Sequence, residues 1–150
     1  MKKNKNHYRD ANVEYLKIRA QEEGVTVLPS GAVIRWIKRG PIVASAPNSG
    51  FARPSDIVYC HYTGRLIDGK VFDTTHTAGH RPGSAAEIPA CFVVRDLIMG
   101  FQMALTRMRA GDEMEIVIPA EYAYGKQRAG DIPPHSTLIF DIEVVKVEPH

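Results

Sequence analysis

The chain has 150 residues, 44% of them hydrophobic and 24% charged, which suits one sizeable globular core rather than a disordered or fibrous chain. Its 19 basic and 17 acidic side chains leave a net charge of only +2 with no long basic run, and no nucleic-acid partner is expected. Apolar runs of a few residues fall far short of the ~20 that a membrane helix requires, so no membrane span is expected either.

The opening Met1-Lys2-Lys3-Asn4-Lys5 is basic, but polar Tyr8-Arg9-Asp10 follows in place of an apolar signal segment. A cytoplasmic setting is the expectation, and an exported or periplasmic one if an upstream signal peptide has been removed. Residues 8–23 read as a helix: Tyr8, Ala11, Tyr15 and Ile18, with Val13 and Leu16, recur at three- and four-residue spacing, and Gly24 stops it. Alone, such a helix is marginal in water. It needs either its own domain or a second copy of the chain, and a homodimer through residues 8–23 is the second expectation. Val25 to Pro29 reads as extended, and Leu28-Pro29-Ser30-Gly31 as a turn. Residues 1–30 form a helical extension on this reading, and residues 31–150 the main domain.

Ala32 to Arg39 alternates as a strand, with Ile34 and Trp36 on one face. Residues 40–54 are a Pro- and Gly-rich loop. Asp56 to Thr63 reads as a second strand, with Val58, Cys60 and Tyr62 alternating against Ile57, Tyr59 and His61. Leu66 to Asp73 reads as a hairpin turning at Asp68-Gly69. Residues 74–90 form a loop that holds His76 and His80, whose spacing there makes no helix face and no metal site. Cys60 and Cys91 are too few for a disulfide framework or a zinc site and read as buried free thiols, with one disulfide as the alternative. Asp96 to Arg109 reads as a helix with the stripe Leu97, Ile98, Phe101, Leu105 and Met108, capped by Asp96 and followed by Gly111. Two strands close the chain. Glu113 to Pro119 points Met114, Ile116 and Ile118 one way, and Thr137 to Val147 does the same with Leu138, Phe140, Ile142 and Val144. Antiparallel strands around one helix define an α+β domain.

The familiar catalytic signatures are missing: no Gly-x-Ser-x-Gly elbow, no phosphate-binding loop, no dinucleotide fingerprint, no His-Glu-x-x-His. Aromatic residues beside turns stand out instead: Tyr62-Thr63-Gly64, Phe72-Asp73, Tyr122-Ala123-Tyr124-Gly125 and Ile132-Pro133-Pro134-His135. With Ile98-Met99-Gly100-Phe101, Met108 to Glu113, Ile118-Pro119, Ser136-Thr137-Leu138 and Phe140 to Glu143, they fall in the order and at the intervals of one pattern. Over residues 53–148 the chain resembles the FKBP-type peptidyl-prolyl cis-trans isomerases. Tyr15-Leu16, Gly24-Val25, Leu28 to Gly31 and Gly40 are similar to the bacterial macrophage-infectivity-potentiator branch, in which a helix precedes the domain and a longer version of it commonly dimerises.

The resemblance implies a twisted antiparallel sheet wrapped around a short central helix, with a prolyl pocket between them. It implies catalytic roles for Tyr62, Phe72, Asp73 and Tyr124, and substrate contacts for Phe92, Leu97, Ile98, Phe101, Ile132 and Phe140. Phe72, Phe101 and Phe140 would be walls and floor, and the N–H groups of Ile98 and Ile132 would hold ligand carbonyls. Tyr124 would donate to the peptide, and Asp73 would accept from Tyr62. Core packing stands as the alternative for Leu97, Ile98, Phe101 and Phe140, and a turn-forming role for Asp73. Implied partners are proline-containing polypeptides, with macrolides as candidate ligands; no cofactor is implied. The implied activity is rotation about X–Pro bonds in assistance of protein folding, and the alternative is a non-catalytic peptide-binding chaperone module. The family usually carries Trp where this chain has Phe101, which implies a looser pocket and weaker macrolide binding. The flap segment Ser84 to Phe92 also departs from the pattern, with few aromatics.

Overall fold

Alternating apolar side chains build the sheet. In the computed structural model, which describes residues 6–76 and 88–150, seven strands form one antiparallel sheet. They are β1 (Thr26–Val27), β2 (Val33–Lys38), β3 (Ile57–Arg65), β4 (Val71–Thr74), β5 (Ala90–Val93), β6 (Glu113–Ile118) and β7 (Leu138–Glu148). Two helices accompany them among the described residues: α1 (Asn6–Ala20) and α2 (Met99–Leu105). The strand order is β1-β2-β6-β7-β3-β4, and β5 shares the outer edge of β3 with β4. β4 pairs with Thr63–Arg65 and β5 with Ile57–Cys60, so the chain leaves that edge and returns to it. Residues 77–87 of the expected loop, with His80 and the first four residues of the flap segment, lie outside the described residues.

One face of the sheet carries the main core. Val58, Cys60, Met114, Ile116, Ile118, Leu138, Phe140, Ile142 and Val144 meet Phe101, Ala104, Leu105 and Met108 from α2 and the turn after it. Trp36 packs against the same cluster, as its alternation with Ile34 predicts. A bulge keeps the far end of β7 in the core. Tyr59 pairs with Lys146 but Cys60 pairs with Val144, so one extra residue lets both Val144 and Val147, three apart, turn inward.

The expected helix 96–109 is shorter than its stripe. Val94–Asp96 forms a 3₁₀ turn, Leu97 and Ile98 are extended, and the helix proper runs only from Met99 to Leu105. Asp96 does not cap it: the N-cap is Ile98, without a side-chain bond. Gln102 supplies a different tie, its amide donating to the carbonyls of Leu97 at 2.7 Å and Arg95 at 3.2 Å. Gly100 inside the helix has a packing reason. A Cβ there would collide with the side chain of Ile118, so glycine lets α2 lie close on β6.

The opposite face is covered by α1. Val33, Val117 and Ile139 are buried there against Tyr15, Leu16 and Ala20. Alternation marked only one apolar face of β6 and β7; Val117 and Ile139 are apolar on the other because this sheet is covered on both sides. Arg19 adds an ion pair to Glu115 on β6. The surface on which the helix lies is its own sheet, while Val13 and Ile18 stay exposed. The helix also ends earlier than expected, at Ala20; Gly24, with φ of 79°, closes the turn that follows.

The cysteines divide. Both are free, but only Cys60 is buried, and Cys91 on β5 is exposed, which corrects the expectation of two buried thiols. The missed strand is the reason: Cys91 pairs with outward-facing Tyr59, one position out of step with the inward Cys60. Burial pushes the Cys60 thiol up to about 12.

Candidate functional site

Five aromatic rings converge from five elements at the end of the core. Tyr62 comes from β3, Phe72 from β4, Phe92 from β5, Phe101 from α2 and Phe140 from β7. Phe101 meets Phe140 at 5.0 Å and Tyr62 at 5.5 Å, both edge to face. Phe72 meets Phe140 at 5.5 Å and 89°. Phe92 closes the ring at 5.9 Å from Tyr62 and 6.3 Å from Phe101. Edge-to-face packing places a positive rim against a negative ring face, so the group is held in shape and not merely collapsed. Phe101 and Phe140 are almost fully enclosed, at 4% and 5% exposure, while Tyr62, Phe72 and Phe92 are half-buried. The first two thus form a floor and the other three the sides of an apolar basin.

Two backbone features aim the rings. Consecutive strand residues normally point to opposite faces. In β4, Asp73 pairs with Gly64 and Val71 with Arg65, which leaves Phe72 as the extra residue of a bulge. The bulge turns Phe72 and Asp73 to the same side. Gly64 makes room for this. A Cβ on it would stand 2.6 Å from the Phe72 ring and 2.7 Å from the Phe140 ring, so any side chain would drive those rings apart.

One polar pair borders the basin. The Tyr62 hydroxyl donates to Asp73 Oδ2 at 2.6 Å. Burial, then the Asp73 carboxylate, pushes the Tyr62 pKa well above the usual phenol range, so the hydroxyl keeps its proton and remains a donor. Among the described residues the basin brings no Ser or Cys nucleophile beside a base; what it offers is shape, apolarity and one fixed polar pair.

Residues 48–145 match the model of the family described as FKBP-type peptidyl-prolyl cis-trans isomerase. The chain belongs to that family. It is 40% identical over 136 residues to the FKBP-type 22 kDa peptidyl-prolyl cis-trans isomerase of Escherichia coli, covering 90% of this chain and 59% of that one. It is 38% identical over 135 residues to the outer membrane protein MIP of Legionella longbeachae, covering 89% and 52%. The chain thus spans little more than half the length of these curated relatives. The crystal structure of a peptidyl-prolyl cis-trans isomerase from Pseudomonas syringae superposes with a TM-score of 0.79 at 28% identity, covering 99% of this chain and 98% of that one. The FKBP-like architecture expected from the sequence is therefore present: an antiparallel sheet, a short central helix and a helix before the domain.

Within this FKBP-type frame the remaining site residues divide. Leu97 and Ile98, just before α2, are half-buried against the core. The Ile98 carbonyl accepts from Phe101 and Gln102, and its N–H has no acceptor among the described residues, so it is available to a ligand carbonyl. Ile132 is buried, but its N–H donates to the Ala129 carbonyl at 2.9 Å and its own carbonyl accepts from Ala129 at 3.0 Å. That pair already engages the N–H for which a ligand contact was expected, and the Ile132 side chain packs in the core cluster. Tyr124 is 42% exposed and makes no ring contact among the described residues. The Phe72 bulge, Gly64 and the β5 position of Phe92 were not read from the pattern. The Tyr62-Thr63-Gly64 triplet carried the one available signal, a glycine beside an aromatic residue near the end of a strand.

Proposed function

We propose that the chain accelerates rotation about X–Pro bonds of polypeptides in the basin of Tyr62, Phe72, Phe92, Phe101 and Phe140. The observation that carries this reading is the five-ring basin with the Tyr62–Asp73 pair at its edge. The X–Pro bond rotates over a barrier of ~18–20 kcal/mol. A turnover near roughly 10² per second requires about 5 kcal/mol off that barrier. No bond breaks, so no nucleophile is called for. A twisted amide loses resonance, and its carbonyl is less dipolar than in the planar ground state. Water favours the planar form, and an apolar basin removes that preference while it holds the pyrrolidine ring. Ile98 N–H and the Tyr124 hydroxyl are assigned to the flanking peptide, Leu97 and Ile132 to the rim, and Asp73 to the orientation of Tyr62.

Phe101 sets the ligand range. A phenyl floor in place of an indole leaves more depth, which supports proline-containing polypeptides as substrates and predicts weak macrolide binding. We assign residues 1–30 to a helical extension and 31–150 to the isomerase domain. A homodimer through α1 would use its exposed Val13 and Ile18, since Tyr15, Leu16 and Ala20 pack against the sheet. The relative named as an outer membrane protein supports an exported setting in place of the cytoplasmic one. Cis-to-trans relaxation of peptides that differ in the residue before proline tests the activity, with Phe101→Trp beside the wild type. Acceleration is expected for apolar residues before proline, and the Trp variant is expected to gain macrolide affinity. A folded chain with no acceleration on any peptide would leave the basin as a peptide-holding surface.

A further inference from the structure

We propose that Asn12 of α1 is a positioning residue for the prolyl site: it reaches around the sheet and fixes the segment 132–137 that carries the Ile132 wall. The inference rests on the isomerase reading of that site. Asn12 is the one buried residue of α1, 1% exposed, although helices usually bury apolar residues. Its Oδ1 accepts from the Thr137 N–H at 2.8 Å, and its main-chain carbonyl accepts from Thr137 Oγ1 at 3.0 Å. Its Nδ2 donates to the Tyr8 carbonyl at 2.8 Å, so every polar atom of the side chain has a partner. One turn earlier, the Tyr8 hydroxyl and Ser136 Oγ lie 2.7 Å apart, and Ser136 Oγ donates to the Pro133 carbonyl at 2.7 Å. Two successive residues, Ser136 and Thr137, each 3% exposed, are thereby tied to α1.

The tether continues to the site. His135 sits in the left-handed region, with φ of 66°, a conformation that a side-chain-bearing residue keeps only when its surroundings hold it. Its N–H donates to the carbonyl of Gly125 at 2.8 Å, next to Tyr124. On the other side of Pro133 and Pro134 stands Ile132. A groove of about 290 Å³ opens between α1 and this region, lined by Val13, Leu16, Pro119, Gly125 and His135 as well as Asn12. The segment is therefore not backed by continuous packing, and its place depends on the buried polar ties. Buried networks with all partners satisfied fix one arrangement more sharply than apolar contact does.

The test compares two ends of the same helix. Asn12→Ala removes the side-chain tie to the Thr137 N–H and leaves the main-chain one, whereas Arg19→Ala removes the ion pair to Glu115 and leaves residues 132–137 untouched. In peptide isomerisation by the intact chain, Asn12→Ala is expected to lower kcat/KM about fivefold, mainly through KM, with Arg19→Ala within about twofold of wild type. Asn12→Asp keeps an acceptor for the Thr137 N–H and is expected to recover part of the loss. Amide exchange at Ile132 and His135, whose own bonds do not involve Asn12, is expected to quicken about tenfold in Asn12→Ala only. Should Asn12→Ala not fold, Tyr8→Phe gives the milder version: a smaller rise in KM, with faster exchange at His135. Equal effects of the Asn12 and Arg19 changes would overturn the proposal, because α1 would then serve stability alone. Lost activity without faster exchange would overturn it too, as would wild-type behaviour of Tyr8→Phe where it stands in. If the wild type does not accelerate isomerisation, the functional reading falls and the exchange comparison alone decides the positioning claim.

Discussion

The Tyr62 hydroxyl has one direction to point, toward Asp73 at 2.6 Å, and that bond orients a ring touching three others. Asp73→Ala frees the hydroxyl and is expected to lower kcat/KM about threefold to tenfold, with little change in the fold; kinetics together with circular dichroism measure it. Gly64 belongs to the same scale. Gly64→Ala places a methyl against Phe72 and Phe140, and the distorted basin is expected to lose at least about tenfold in kcat/KM, read in the same assay. Asp56, 2% exposed, serves stability and makes no contact with the Tyr62–Asp73 pair among the described hydrogen bonds. The Arg53 side chain, and the N–H groups of Arg53 and His150, hold its carboxyl below the usual range. A folded-state value below the unfolded ~3.9 means that this contribution is present above about pH 4 and is lost as pH falls through the lower folded value. Asp56→Asn is expected to lower Tm by roughly 3–6 °C at pH 7 and to flatten the acid limb of Tm against pH, measured by thermal melts across pH.

At the scale of elements, what could be read from the sequence was what repeats. Period-two alternation marked β2, β3, β6 and β7, and the Asp68-Gly69 pair marked the turn before β4. β5 escaped because four residues, Ala90–Val93, are too few to show a period, and their pairing with Ile57–Cys60 is a long-range fact. The α2 stripe misled in the other direction. Leu97, Ile98 and Met108 face the core from turns that flank the helix, so burial extends beyond the hydrogen-bonded segment. The aromatic residues that converge were named through resemblance to a family, and the bulge that turns Phe72 and Asp73 together was not legible, since it depends on a register across two strands. Gly100 is where element packing is tested most simply. Gly100→Ala raises helix propensity yet forces a methyl into Ile118, and the collision is expected to win, with a net loss of about 1–3 kcal/mol in urea unfolding.

Over the whole molecule, the sheet separates two tasks. One face holds α2 and the aromatic basin, and the other holds α1, whose polar ties return to the segment beside the basin. Membership of the FKBP-type family and the five-ring basin support the proposed isomerase activity, which Phe101 is proposed to tune. The decisive measurement is protease-free cis-to-trans relaxation of a short X-Pro-Phe peptide with the wild type and Asp73→Ala side by side. The account predicts a clear acceleration by the wild type at catalytic concentration and a smaller one by the variant. No acceleration by a folded wild type, or equal acceleration by both, would contradict it: the first would remove the activity, and the second would remove the Tyr62–Asp73 pair from its mechanism.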